Sequence, residues 1–544
     1  MADVDDVSRQ AVPADRGRWQ AARPRLAWAG AVVGAALVLF WCYPRLSQSN
    51  AVNSDGAGVV LQGWDMVHGN VLMSGWLLAD VTFATFEAPI DGLVAAVHGL
   101  NPDAVHITAA IVYTLLVLTA ALLAKGTARG AEGVVRAVLA AGILLAPGLI
   151  PGVHILLLSP DHTGIAVPIM LALLLVDRAR PRWFVPVAMG VLLVWAQVDD
   201  PLATYAGAAP IAVVCGVRAA LPLVRGRRLG WYDAGLAAAS VVSVELARLA
   251  VSAIEAAGGY QMRPIKGGMG TLFPFTSWGK QLSATGQNLL ILFGANVSGQ
   301  HGIDLAVAYL HMVGVALALT GLLAGLACLV RDADRVTQIL AVATLAILLA
   351  GAVATPMVRI ASAHEIATVL PFSAVLAGRT VGSWLARVRW RGPRLALPLL
   401  LTAALAGYVA ALGYGVAQPA LPAETQDLAD WLVAHHLTGG LAKYWAANST
   451  TLSTGGRVHV YPVTDLAQNP YTWVAKSAWY DPATSRADFV IAVPGSGNAY
   501  AFPESGVRRV FGKPAHEYRV NQYIIMVWDK NLLLTVHSPG PARR

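Results

Sequence analysis

Six carboxylates, Asp55, Asp65, Asp80, Glu87, Asp91 and Asp103, fall within residues 53–103. No lysine or arginine accompanies them, and His68 and His98 are the only bases. Apolar runs flank the segment on both sides, so it reads as a loop outside the hydrocarbon, held close to a membrane by its two neighbours. Carboxylates gathered at such a place are suited to deprotonating a hydroxyl or to holding a divalent cation. Taken one at a time, each acid also fits a solvated loop that only follows charge topology. Asp55 stands out by position. It is the first acid after the first apolar run, and Gly56 and Ala57 beside it leave room for a substrate.

The rest of the chain has to place these acids. Of 544 residues, 56% are hydrophobic and 13% charged. A soluble domain carries roughly 25% charged residues, so this composition describes a polytopic membrane protein. The net charge of +8 does not mark a nucleic-acid binder, because the arginines sit in short loops between apolar spans, where they set orientation. Cys42, Cys215 and Cys328 all lie in apolar runs, which excludes a disulfide framework in the hydrophilic parts. The first apolar run lacks a small-residue cleavage site and is expected to be an uncleaved first span.

The expected fold class is an α-helical polytopic membrane protein with about eleven transmembrane helices and a small C-terminal α/β domain outside the membrane. A cytoplasmic tail covers 1–25, and the membrane domain 26–416 carries a large first outer loop, 45–103, and a second, 258–304. Residues 417–544 form the outer domain. The spans at 163–176 and 183–198 are short for straight crossings. Carboxylates fill the odd-to-even loops and arginines the even-to-odd ones. With the N-terminus inside the cytoplasmic membrane, every arginine-rich loop is cytoplasmic and the tail domain lies outside. In that tail, 424–437 has helical apolar spacing, while 457–463, 488–494 and 518–529 read as strands. Its aromatics, Tyr444-Trp445, Tyr471, Trp473 and Trp479-Tyr480, suit either a small core or stacking on sugar rings. Inside the seventh span, Glu245 and Arg248 are one turn apart and can pair on one helix face, as a structural pair or as polar lining of a groove for a lipid phosphate.

This architecture resembles the GT-C class of membrane glycosyltransferases, such as the protein mannosyltransferases and the lipid A aminoarabinose transferases. The pattern that carries the resemblance is Asp55 after the first span, then Pro89-Ile90-Asp91-Gly92-Leu93 before the second. The family often has paired acids at the first position, where this chain has Ser54-Asp55-Gly56. At the start of the tenth span, His364-Glu365 followed by Pro371 is similar to the family's Arg-Tyr and later Pro, and departs from it at both leading residues.

The resemblance implies transfer of a sugar from a polyprenyl-phosphate donor to an acceptor outside the membrane, with inversion. An acceptor hydroxyl must lose its proton as it attacks the anomeric carbon, and Asp55 is placed to take it. The leaving phosphate needs positive charge or a metal. His162, Arg263, Lys266, Arg359 and His364 are the outer residues that offer charge or a binding contact. Arg263 and Lys266 equally suit contact with anionic membrane lipids. Asp161-His162 and Asp199-Asp200 are the candidates to hold a divalent cation with Asp55. Two other readings use the same architecture: a transporter or flippase of a lipid-linked saccharide, and a non-catalytic envelope assembly protein. Transporters favour internal repeats and broken helices, and the sequence shows no repeat.

Overall fold

The computed structural model describes residues 14–149, 152–158, 162–224, 226, 228–263, 272–330, 334–353, 360–388, 392–466 and 469–537. The chain opens with α1 (Ala14–Ser47). The acidic segment then folds into α2 (Ser54–Val67), β1 (Trp76–Leu78) and α3 (Glu87–His98). The membrane helices resume with α4 (Asp103–Lys125), α5 (Gly130–Leu144), the short α6 (Gly152–Leu157), α7 (Ala166–Arg178) and α8 (Phe184–Asp199). After them come α9 (Ala209–Val224), α10 (Trp231–Ala256), β2 (Gln261–Met262), α11 (Trp278–Leu292), α12 (Gly302–Ala327) and α13 (Arg335–Val353). The last membrane helices are α14 (Val369–Ala377), its continuation α15 (Ser383–Arg387), and α16 (Ala396–Val416).

Eight of the helical stretches among the described residues are long and apolar enough to cross a membrane. The expected third, fourth and fifth spans form α5, α7 and α8, of 15, 13 and 16 residues. At about 1.5 Å per residue these fall short of a roughly 30 Å hydrocarbon core. Their apolar residues join the helical core instead of facing lipid alone: Met170, Val185, Met189 and Leu193 are fully buried. At the end of the bundle away from the acidic segment, Arg379 ties the helices together. It donates to Asp177 and Asp334 and to the Leu123 carbonyl, each at 2.7 Å.

The acidic segment was expected as a loop, but it is two packed helices and a strand. Asn53 starts α2 by accepting the Gly56 N–H at 3.1 Å, as an N-cap should. Helices α2 and α3 touch backbone to backbone. A Cβ on Gly63 would lie 2.2 Å from the Ala88 carbonyl oxygen, and one on Gly92 would lie 2.4 Å from the Gly63 oxygen. No side chain fits between them.

The tail domain holds α17 (Gln426–Ala434), β3 (Gly439–Ala442), α18 (Tyr444–Ser453), β4 (His459–Pro462), β5 (Val474–Lys476), β6 (Phe489–Val493), β7 (Phe502–Pro503), α19 (Glu504–Phe511), β8 (His516–Val520) and β9 (Tyr523–Val527). Its main sheet runs β4-β3-β6-β9-β8, with β7 beside β6. Strands β4, β3 and β6 are parallel, and β6, β9 and β8 antiparallel. Apolar clusters cover both faces, one around Val490, Ile524 and Met526, the other around Phe489, Ile491 and Ile525. The expected strand at 518–529 is the hairpin β8–β9, which turns at Asn521 with φ 51°, a conformation asparagine tolerates.

A second sheet ties this domain to the membrane part. Its middle strand, β1, pairs in parallel with β2 and antiparallel with β5. Below it, Asp65 accepts hydrogen bonds from Lys476 Nζ at 2.9 Å, Trp76 Nε1 at 2.8 Å and Asn70. Burial pushes the Asp65 carboxyl up, but these donors outweigh it and leave it below the usual carboxylate range.

The glycine contact gives a test of this packing. Gly63→Ala should cost about 1–3 kcal/mol, as overpacking does, lowering the melting temperature of the purified protein and exposing 53–103 to protease. An unchanged melting curve would mean that α2 and α3 are not in close contact.

Candidate active site

Three segments from separate parts of the chain converge on one cluster. His162 lies in the turn before α7 with φ 54°, a left-handed conformation that costs a non-glycine residue about 1–3 kcal/mol and is concentrated at functional sites. Asp200 follows α8, and its Oδ2 sits 2.6 Å from His162 Nδ1. The Leu202 N–H fixes the other oxygen of Asp200 at 2.8 Å. His364 and Glu365 sit in the short helical turn Ile360–Ile366 that leads into α14. Glu365 Oε2 is 3.8 Å from His162 Nε2, and Glu365 Oε1 is 3.5 Å from His364 Nε2. The two imidazoles stack with centroids 5.7 Å apart.

The electrostatics follow from these contacts. Burial drives the Glu365 carboxyl up, but the His364 hydrogen bond and the two imidazoles outweigh it, so Glu365 stays below its ordinary value. Asp80, in the loop after β1, is raised by burial. His162 opposes that shift, and the charges of Glu365 and Asp200 add to it. Arg263 follows β2, and its backbone N–H donates to the Leu78 carbonyl at 2.6 Å. The small sheet thereby sets its place, and burial lowers its guanidinium.

Asp55 stands in the first turn of α2, and the Tyr444 hydroxyl donates to its Oδ1 at 2.6 Å. Tyr444 opens α18, so the tail domain supplies this partner. Tyr471 packs on Tyr444 with centroids 4.8 Å apart. Its hydroxyl is raised by burial and then by the Asp55 charge. Gly56, next to Asp55, lines a cavity of ≈ 20 Å³ together with Glu87, Asp91, Thr108, Thr163 and Gly164. The start of α2 and the turn that carries His162 therefore share one wall.

The structure thus brings together His162, Asp200 and His364 of the residues singled out from sequence, with Arg263 positioned by the neighbouring sheet. Asp199 turns the other way: its Oδ1 accepts from the Thr85 and Phe86 N–H groups, both at 2.9 Å. Glu245 and Arg248 do pair, at 2.9 Å, but on the exposed face of α10. Asp161, Lys266 and Arg359 lie outside the described residues. Sequence reasoning missed Glu365, Asp80 and Tyr444 as members of the site. Glu365 adjoins His364 and was legible as a neighbour. Tyr444 carried no signal, because its partner Asp55 lies 389 residues away.

His162, His364 and Glu365 can each offer a ligand atom within 4.8 Å of the others. Glu365 Oε2 is buried and receives no hydrogen bond among the described residues. Two imidazoles and a carboxylate form a donor set that suits zinc or manganese. Asp200 on the far nitrogen of His162 is the outer partner that orients a metal-binding histidine. The residues therefore fit a divalent cation.

No family model matches the chain, and no curated protein matches it. Solved structures do. The oligosaccharyltransferase of Archaeoglobus fulgidus in complex with Zn and sulfate is 11% identical, with a TM-score of 0.49, over 84% of this chain and 68% of that one. The same enzyme, AglB, in complex with an inhibitory peptide and a dolichol-phosphate is 12% identical, with a TM-score of 0.47, over 85% and 69%. ArnT from Cupriavidus metallidurans bound to undecaprenyl phosphate is 14% identical, with a TM-score of 0.39, over 95% and 99%.

Calorimetric titration with Zn²⁺ or Mn²⁺ tests the cluster. Asp200→Asn should weaken binding by roughly 10–100-fold, as loss of an outer partner does, and Glu365→Gln should remove it. Equal affinity in all three proteins would place the cation elsewhere.

Proposed function

We propose that this chain is a membrane glycosyltransferase. It takes a sugar from a polyprenyl-phosphate carrier and joins it, with inversion, to an acceptor hydroxyl on the outer side of the cytoplasmic membrane. The observation that carries this reading is the setting of Asp55. It is a carboxylate in the first turn of the helix that follows α1, held by the Tyr444 hydroxyl at 2.6 Å. Its neighbour Gly56 shares a cavity wall with the turn that bears His162.

In the proposed reaction the acceptor O–H gives its proton to Asp55 as its oxygen attacks the anomeric carbon. The bond from that carbon to the phosphate oxygen breaks, and the polyprenyl phosphate leaves with the electron pair. Tyr444 holds the carboxylate in one orientation, which is what a general base within hydrogen-bond reach of its substrate requires. Arg263 places positive charge near the leaving group, and His162 faces it as a neutral imidazole. A divalent cation held by His162, His364 and Glu365 would neutralise charge on the leaving phosphate. The exposed apolar faces of the surrounding helices keep the carrier's tail in the bilayer while its headgroup reaches the site.

Asp55→Asn keeps size and hydrogen bonding but removes the base. Transfer from a labelled polyprenyl-phosphate sugar by purified protein should fall by roughly 10²–10⁴-fold, with carrier binding nearly unchanged. Asp65→Asn, at a carboxylate already paired with Lys476, should lose far less turnover. Normal transfer by the Asp55 variant would move the base to another carboxylate. Absence of transfer by the unaltered protein with every donor would favour the transporter or assembly readings.

A further inference from the structure

Glu87 opens α3 with its side chain 2% exposed. Its Oε2 meets no donor among the described residues, and neither does Oδ2 of Asp199. The two carboxyl groups are within hydrogen-bonding reach of each other. Two carboxylates cannot hydrogen-bond without a proton between them, and side by side in a buried site their charges would repel.

The surroundings decide which one carries that proton. Asp199 Oδ1 accepts two backbone N–H groups at 2.9 Å and the Thr85 hydroxyl at 3.2 Å, which stabilise a carboxylate. Glu87 has only its own backbone N–H for such support, and burial, then the charge of Asp199, lifts its carboxyl well above the usual range. The groups that face it are acidic. Asp199 and Asp200 come from the end of α8, Asp91 from α3 itself, and Thr108 of α4 brings a hydroxyl. His162, before α7, is engaged by Asp200. Neither Glu87 nor Asp199 belongs to the metal-capable trio.

The other oxygen of Glu87 packs on the backbone of Gly164. A Cβ at that position would fall 1.6 Å from Glu87 Oε1, so the close approach requires glycine. Glu87 therefore touches both pieces of chain that fix His162. On one side is Asp199, adjacent to Asp200; on the other is Gly164, two residues past the imidazole. We propose that Glu87 is a positioning residue that, as a neutral acid donating to Asp199, holds Asp200 against His162. The proposal rests on the transferase reading only for its turnover measurement.

The test compares Glu87→Gln, which keeps a neutral donor of the same shape, with Glu87→Ala, which removes it. Stability is read as melting temperature from about pH 5 to pH 8. A carboxyl raised in the folded state contributes stability that is fully present below its unfolded value, near 4.5. That stability is lost as pH rises through the folded value. Glu87→Gln lacks this loss, so its melting temperature should gain on that of the unaltered protein as pH rises. Turnover of Glu87→Gln should stay within about twofold of normal, while Glu87→Ala should lose roughly 10–100-fold, the usual effect of removing an outer partner. The proposal fails if Glu87→Gln does not fold, if it melts as low as Glu87→Ala throughout, or if its difference from the unaltered protein is flat in pH. Absence of transfer by the unaltered protein would sink the transferase reading and leave the melting comparison standing.

Discussion

The pairing of β1 on both of its edges is the constraint on which the site depends. Trp76–Leu78 is only three residues long, yet it bonds to Gln261–Met262 on one side and Val474–Lys476 on the other. A strand this short cannot persist alone. It forms because Trp76 and Leu78 are buried with Tyr260, Tyr444 and Val474 in one apolar cluster. That cluster joins the first outer segment, the chain after α10 and the tail domain. The same docking brings Tyr444 to Asp55, Lys476 to Asp65 and Arg263 alongside Leu78. The tail domain is therefore built into the candidate site and is not an appendage.

The second organising feature is the treatment of buried acids. Asp65 is paired with a lysine, Asp200 with a histidine, and Glu365 with two histidines. Among the described residues no cation lies beside Glu87 or Asp91, and burial drives both toward the neutral form. Acids of both kinds sit within a few turns of chain, so the outer segment holds ionised and neutral carboxyls side by side. In the proposed reaction, that division would let Asp55 act as a base without the whole cluster repelling a phosphate.

Much of the membrane architecture was legible in the sequence, because a bilayer demands about 20 apolar residues per crossing. The long helices α4, α10, α12, α13 and α16 follow the apolar runs closely. The short helices α5, α7 and α8 fall on the expected third, fourth and fifth apolar runs, but apolarity alone does not fix the count, since a helix buried among others is as apolar as one that faces lipid. The tail strands β4 and β6 were readable from local pattern. Strands β1, β2 and β5 were not, because their pairing is wholly non-local. At the site, His162 and Asp55 stood out as polar residues at span ends. The grouping of His162 with Asp200 was expected, but the partnerships with Glu365 and Tyr444 were not, because these residues arrive from separate parts of the chain. Glu87 was read as one acid among six, and only its burial against Asp199 and Gly164 distinguishes it.

The central claim is that the outer end of α2 and the His162 cluster form one site for a lipid-phosphate sugar. Cryo-electron microscopy of the full chain in lipid nanodiscs, with a polyprenyl-phosphonate sugar that cannot be transferred, addresses it directly. The account predicts the phosphonate beside His162 and Arg263, with the anomeric carbon facing Asp55. A ligand that touches neither Asp55 nor His162, or that lies in a path crossing the membrane between the helices, would contradict it.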